Sequence, residues 1–362
     1  MIKIRSSKKS DYHDIKKLFS KNKMKMISKS NWLNLWDNPE LKKTKHKILG
    51  FVLQKNNKIV GHIGSYPVLY THYNKKLTCN VLHGWVIEPR YRNYSFSLLN
   101  KYFLKINSYF FLSTTTNPTA AKVLEILKWE RINLKGLTQA FFIIFNSKKF
   151  LSKIFLKKKV YFKKIIILIL SQILNFIIRF QKNKVISIKS NKKIVVCNKI
   201  DKKFDVFWQK YKAENKNKIL FIRKMLWLKW VLKEFISSGK LKIVTISHKN
   251  KLYGYCMFVI KEQNKIRFAK LVDILILRSH QDLLLPLISR SITLASENKC
   301  AFIEFKNTYH KNLKLFDYFY PLKIQLSHNY FYLKLKNVIQ NKNFKIKNLH
   351  LSSIDGDTMF ND

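Results

Sequence analysis

Residues Val86 to Phe103 read VIEPRYRNYSFSLLNKYF. The run ends an apolar stretch, passes Pro89, Arg90 and Arg92, and continues into a segment whose Leu98 and Leu99 fall on the apolar side of a helix. A strand that turns straight into a helix leaves the first backbone N–H groups of the helix without partners, and the helix dipole adds positive potential at the same place. Such a turn is a phosphate site when its residues are small or point their side chains away, because only then does a pyrophosphate reach the backbone. Ser95 and Ser97 keep the turn small, although each Cβ narrows the room that a glycine would leave.

Upstream, ILGFVLQ and KIVGHIGSYPVLY flank Asn56-Asn57, and KLTCNVLHGWVIE follows a turn at Asn74, so this spacing predicts antiparallel hairpins. The chain opens with a short strand, Ile2 to Arg5. A helix follows with Ile15, Leu18 and Phe19 on one side, behind the capping candidates Ser10 and Asp11. The region around Trp32, Trp36 and Pro39 reads as irregular. Downstream, YFFLSTTT is an apolar strand and a second helix starts near Asn117. Strand, helix, strands, helix, strand, helix is the order of an α+β domain with a mixed sheet.

The pattern then partly returns. Lys202 to Lys233 reads as helical, with Trp208, Trp227 and Trp230 as core residues, and a meander with turns at Lys249-Asn250 and Gln263-Asn264 follows. SHQDLLLPLISRSITLASENK is a helix, AFIEFK a strand, YHKNLKLFDYF a helix and NYFYLKLK a closing strand. A shared element order in the two halves points to duplication.

The opening stretch resembles motif A of the GNAT superfamily of N-acetyltransferases. There a strand ending in Val-x-Pro-x-Tyr-Arg runs into Arg/Gln-x-x-Gly-x-Gly/Ala at a helix start. Pro89, Tyr91 and Arg92 match, Ile87 takes the valine place, and Ser95 and Ser97 take the glycine places. STTTNPTAAKVLEILKWERI, Ser113 to Ile132, is similar to the fifth strand and following helix of that family: Asn117, Ala120, Ala121 and Trp129 fit, and Lys128 replaces a glycine. The resemblance implies two GNAT-like domains, each a mixed, mostly antiparallel sheet flanked by helices. Residues 1–138 would form an acyl-CoA-binding domain, 139–195 a basic and apolar helical linker, 196–338 a second, degenerate domain and 339–362 a tail.

It also implies acetyl-CoA or another acyl-CoA as co-substrate. The backbones of Val86 and Ile87 would lie along the pantetheine arm. The N–H groups of Asn93, Tyr94, Ser95, Phe96 and Ser97 would take the pyrophosphate, with Arg92 beside them and Asn117 facing the cofactor from the neighbouring element. The implied reaction is direct attack of an amine on the thioester, and tandem members of the family resemble enzymes of amino sugars and cell-surface glycan precursors.

Amine acylation needs a base and donors for the developing oxyanion. His83 and Glu88, on the expected fourth strand, are the candidates, His83 acting through water. The plainer readings are a sheet histidine satisfied by its neighbours and an exposed glutamate. The second half has no such turn after LVDILIL, so a second cofactor is not expected. Asp273 and Glu304 sit inside apolar strands, and buried carboxylates require partners, either lysines or a substrate in a shared pocket. In the tail, LSSIDGDTMFND, Asp-Gly-Asp reads as a turn, with too few regularly spaced oxygens for calcium.

The chain has 362 residues, 47% of them hydrophobic, which is enough for two cores. With 71 basic against 20 acidic residues it carries a formal charge of +51, a field that concentrates anions. The lysines are spread throughout, beside many Ile, Asn, Phe and Tyr, so the charge reads chiefly as compositional. Cys79, Cys197, Cys256 and Cys300 show neither disulfide nor zinc spacing, and no metal is expected. The N-terminal stretch lacks the apolar core of a signal peptide, so a cytoplasmic setting is expected, extending to the inner face of the membrane. IIILILSQILNFIIRF, Ile165 to Phe180, follows the basic run Lys157, Lys158, Lys159, Lys163 and Lys164. It falls short of the ~20 residues of a span, so a buried or interfacial helix is expected, with peripheral contact to anionic membrane. Two rivals to the acyltransferase stay open: a non-catalytic basic protein that binds nucleic acid or membrane, and a tRNA-dependent peptidoglycan aminoacyltransferase. No nucleic-acid-binding signature appears, and no heptad arm of the second kind.

Overall fold

The computed structural model describes residues 1–43, 47–133, 137, 139–155, 163–186, 194–306, 317–326, 330–336 and 344–360. The N-terminal part contains β1 (Ile2–Ser6), α1 (Tyr12–Lys21), α2 (Lys29–Trp36), β2 (Gly50–Lys55), β3 (Lys58–His72), β4 (Lys75–Ile87), α3 (Ser95–Lys105), β5 (Phe110–Thr116), α4 (Pro118–Ile126) and β6 (Glu130–Arg131). Then come β7 (Gln139–Ile144), α5 (Ser147–Ile154), α6 (Lys163–Ile186), β8 (Ile194–Cys197), α7 (Lys202–Glu214), β9 (Ile219–Phe221), α8 (Met225–Val231) and α9 (Lys233–Ser237). The chain continues through β10 (Leu241–His248), β11 (Lys251–Gln263), β12 (Ile266–Ile276), α10 (Leu284–Glu297), β13 (Phe302–Lys306), β14 (Leu322–Gln325), β15 (Tyr330–Leu335) and β16 (Leu349–His350).

Turn chemistry sets the hairpins. Asn56 and Asn57 have φ of 46° and 63°, as do Tyr73 and Asn74, which is the left-handed pair that a tight two-residue hairpin requires. Lys249-Asn250 closes a third hairpin, and the fourth turns on Asn264-Lys265, one residue later than the sequence suggests. The region expected to be irregular holds α2, whose Ser28 hydroxyl accepts the Asn31 N–H at 3.1 Å and whose Trp32 and Leu35 are fully buried. Asp11 does not cap α1 with its side chain; its carboxylate takes both terminal nitrogens of Arg5, at 2.7 and 2.9 Å, and the Lys8 N–H.

The first sheet runs β1-β2-β3-β4-β5-β15-β6, and the second, read from its opposite edge, runs β8-β10-β11-β12-β13-β7-β14. Along these paths only β4 with β5, and β12 with β13, run parallel. The two orders are the same once one strand is exchanged. β15, near the C-terminal end, lies between β5 and β6 of the first sheet, whereas β7 lies between β13 and β14 of the second. The stretch 139–195, expected as a helical linker, therefore begins with an inner strand of the second sheet, and the expected closing strand of the second half pairs in the first.

α3 and α4 cover one face of the first sheet through Leu98, Leu99, Tyr102 and Leu124. Its other face, with α1 and α2, shares one continuous core with α7, α8 and the second sheet, from Trp32 and Tyr66 to Trp208, Trp227, Trp230, Tyr255 and Met257. The tryptophan cluster is thus core. The tail is core as well: Leu351, Ile354, Asp355, Asp357, Met359 and Phe360 are all buried. The helix YHKNLKLFDYF and the run Lys157 to Lys159 lie largely or wholly outside the described residues.

Candidate functional site

β4 and β5 pair only from Cys79–Leu82 to Phe110–Ser113; beyond Leu82 no ladder joins them, and they open a V. The cause is a bulge. Register between β3 and β4 shifts between His62 and Gly64, and Gly84 sits at φ +57°, where a Cβ would press to 2.9 Å from the Phe19 ring. His62 Nδ1–H donates to the Gly84 carbonyl at 2.8 Å and holds the bulge in place.

A groove of about 220 Å³ runs down the V between Trp85, Val86 and Ile87 on one side and Asn117, Thr119, Ala120 and Val123 on the other, with Arg92 and Ser95 at its mouth. Beside it lies a chamber of about 150 Å³ lined by His83, Ser113, Thr115, Thr116, Leu124 and Asp357. Met24, Trp85, Asn117 and Ala120 belong to both spaces.

The expected loop residues separate here. Of the turn, Arg92 and Ser95 line the groove, while Asn93, Tyr94, Phe96 and Ser97 do not. Pro89–Tyr94 winds as a 3-10 helix into α3. The Ser95 N–H and hydroxyl both donate to the Arg92 carbonyl, the hydroxyl at 2.6 Å, so this serine closes the turn on itself where open amides were expected. Asn117 borders the groove, yet its Oδ1 accepts the Ala120 N–H at 2.8 Å as the cap of α4. Val86 and Ile87 are ladder partners of β3 through His62 and Gly61, with their other edge toward the V.

His83 lies 7% exposed at the inner end, its ring so close to Gly64 that a Cβ there would lie 2.5 Å from Cε1. Burial, with repulsion from His62, drops the His83 pKa to about 3, and burial drops that of His62 to about 4. Both are neutral at pH 7, and His83 Nε2 has no hydrogen-bond partner among the described residues. So low a pKa makes His83 a weak base but leaves it a usable acceptor or donor. Glu88 is elsewhere: it pairs with Lys21 Nζ at 3.2 Å and borders a separate depression of about 470 Å³ beside Lys17, Lys55, Lys58 and Tyr91. The structure does not bring Glu88 and His83 together.

Asp357 lines the same chamber as His83, and the sequence reading missed it. The Thr114 and Thr115 hydroxyls donate to its two oxygens at 2.7 and 2.6 Å, which orients the carboxylate at the chamber wall. One signal was present: an acidic tail in so basic a chain.

A mixed sheet that splays at a bulged fourth strand, present twice with an exchanged strand, defines a tandem GNAT fold. Solved structures share it. A probable N-acyltransferase from Enterococcus faecalis V583 superposes with a TM-score of 0.59 at 10% identity, over 92% of this chain and 72% of that one. A GCN5-related N-acetyltransferase from Anabaena variabilis gives 0.55 at 12%, over 93% and 74%. Saccharomyces cerevisiae N-myristoyltransferase with bound myristoyl-CoA gives 0.56 at 12%, over 92% and 78%. No family model and no curated protein matches the sequence.

Proposed function

We propose that the protein is an acyl-coenzyme A-dependent N-acyltransferase whose thioester lies in the V of the first sheet and whose acceptor amine enters the chamber between His83 and Asp357. One observation carries this reading: the groove, lined by Arg92, Val86 and Ile87, and the chamber, lined by His83 and Asp357, adjoin each other and share Met24, Trp85, Asn117 and Ala120 as walls. Arg92 offers a charge-assisted contact to a phosphate, and a strand edge offers backbone groups to an extended amide-bearing arm. The fold neighbours include a probable N-acyltransferase, a GCN5-related N-acetyltransferase and an N-myristoyltransferase with bound myristoyl-CoA.

The small chamber supports a short acyl group, acetyl above all. Its lining by Ser113, Thr115, Thr116 and Asn117 supports a hydroxyl-rich acceptor such as an amino sugar or a glycan precursor met in the cytoplasm. Asp357 holds the ammonium of the acceptor. One proton passes to water, the nitrogen attacks the thioester carbon, the C–N bond forms as C–S breaks, and the second proton leaves with the thiol. Neutral His83 orients the amine through Nε2.

The test is calorimetric titration of acetyl-CoA at low and ~0.5 M salt with wild type and Ser95→Glu, since a +51 chain holds any polyphosphate loosely at low salt. Binding that persists in salt and is lost in the glutamate variant, with its melting temperature unchanged, supports the reading. Binding that disappears with salt and is the same in both proteins overturns it in favour of a polyanion-binding protein.

A further inference from the structure

We propose that α6 is a membrane-docking helix that seats the protein flat on an anionic phospholipid surface. The helix is longer than its apolar run suggests, with 22 residues, Lys164–Val185, apolar enough to cross a membrane, and only 17% of its most apolar window is buried. Ile165, Leu168, Ile169, Ile173, Phe176 and Phe180 are each 50–64% exposed. Spacings of three and four residues place all six on one stripe, about four turns long. An apolar stripe of this extent in water marks an interaction surface.

The opposite face fixes the orientation. Gln181, 1% exposed, accepts the Ile144 N–H at 3.0 Å and donates to the Tyr320 carbonyl at 2.8 Å. Asn175 Oδ1 accepts the Ser147 hydroxyl at 2.8 Å, and the Val185 carbonyl accepts the Ser289 hydroxyl at 2.8 Å. A helix pinned to the protein body at its middle and C-terminal end, and packed on it through Ile167, Leu170 and Leu174, is not surrounded by lipid, so it lies in the interface and does not span.

Charge decides the occupant. α6 contains no acidic residue, and Lys164, Arg179 and Lys182 are exposed along it. At its C-terminal end Lys184 Nζ lies 5.2 Å from the ring of Tyr318 and 5.9 Å from that of Tyr320, two rings that are 37% and 54% exposed. Tyrosines and cations beside an apolar stripe fit the headgroup layer. A second copy of the chain would bring +51 against +51, and nucleic acid would leave the stripe wet. An anionic lipid surface satisfies both features at once.

The test is flotation of the whole protein with vesicles of phosphatidylcholine alone or with about 30% phosphatidylserine, at ~0.15 M salt. Wild type is expected to float with the anionic vesicles at least about tenfold better than with the neutral ones. Ile169→Glu/Phe176→Glu is expected to lose at least about tenfold in binding with an unchanged melting curve, whereas Leu226→Glu, at an exposed apolar residue off the stripe, keeps it. Equal flotation of the double variant and wild type overturns the proposal, as does equal binding to both vesicles. A wild-type dimer in light scattering that the double variant abolishes also overturns it, and assigns the stripe to a second copy.

Discussion

The two sheets open the same V, and the protein uses the two openings in opposite ways. In the second sheet β12 and β13 pair only at Ala269–Lys270 with Ile303–Glu304, and β12 bulges where its register with β11 shifts, between Met257 and Phe258. There the space is filled. Arg223, 1% exposed, binds Asp273 at 3.2 Å and Asp355 of the tail at 2.7 Å, while the Ser352 and Tyr255 hydroxyls donate to Asp273 at 2.9 and 2.8 Å. The following turn differs too: no residue of Pro89–Tyr94 is buried, whereas Leu283 and Leu284 plug the corresponding turn before α10. One backbone plan thus gives an open groove where polar groups line the space, and a structural joint where they bind one another. Burial works to raise the Asp273 carboxyl, but Arg223 and its hydrogen bonds outweigh that and hold it low. Burial and the Asp273 charge push Asp355 up to about 6.

The largest expected effect tests the joint. Arg223→Met strands two buried carboxylates and is expected to cost about 3–5 kcal/mol in urea unfolding, whereas Arg92→Met, at an exposed position of the open V, stays within about 0.5 kcal/mol. A loss below about 1 kcal/mol for Arg223→Met would break the contrast.

Acid should separate the halves next. His62 and His83 bind protons more weakly when folded, so their contribution is present above pH 6.5 and is lost on acidification, by about 2 kcal/mol each at pH 5. Asp355, raised to about 6, has the opposite sign: its contribution grows as pH falls through 6, by about 1 kcal/mol at pH 5. Net stability is expected to fall between pH 7 and 5, and His83→Phe should flatten that slope.

Smaller effects follow. In Gly356→Ala the new Cβ overlaps Thr114 Oγ1, so the tail must shift from β5, at about 1–3 kcal/mol by thermal melting and with faster proteolysis of the tail. Asn117→Ala removes only the cap of α4 and should cost about 1 kcal/mol by the same measurement.

Local chemistry made much of this legible. The Asn-rich hairpin turns, the strand-turn-helix at Val86 to Phe103 and the helix start near Asn117 each depend on neighbours a few residues apart. Where the decisive partner is distant, the pattern is silent. β15 has the alternation of a strand in either sheet, and nothing in NYFYLKLK names β5 as its neighbour. Asp355 and Asp357 resemble a surface turn until Arg223, Thr114 and Thr115 are brought to them by the fold. α2 has only eight residues, with apolar side chains on more than one side, so its periodicity is weak. The end of α6 is masked because Gln181, polar in sequence, is a buried anchor.

The exchanged strand has a consequence for how the molecule comes into being. Tyr332 of β15 donates its hydroxyl to Glu125, 207 residues earlier, so an emerging chain must lengthen by that much before the first sheet receives its inner strand. At ribosomal speed this takes roughly 10–40 s, with the edge of β5 uncovered throughout. Completion of the first sheet is thus timed by the synthesis of β15, and a nascent chain halted before it presents a sticky, unfinished sheet to whatever chaperone or protease is near.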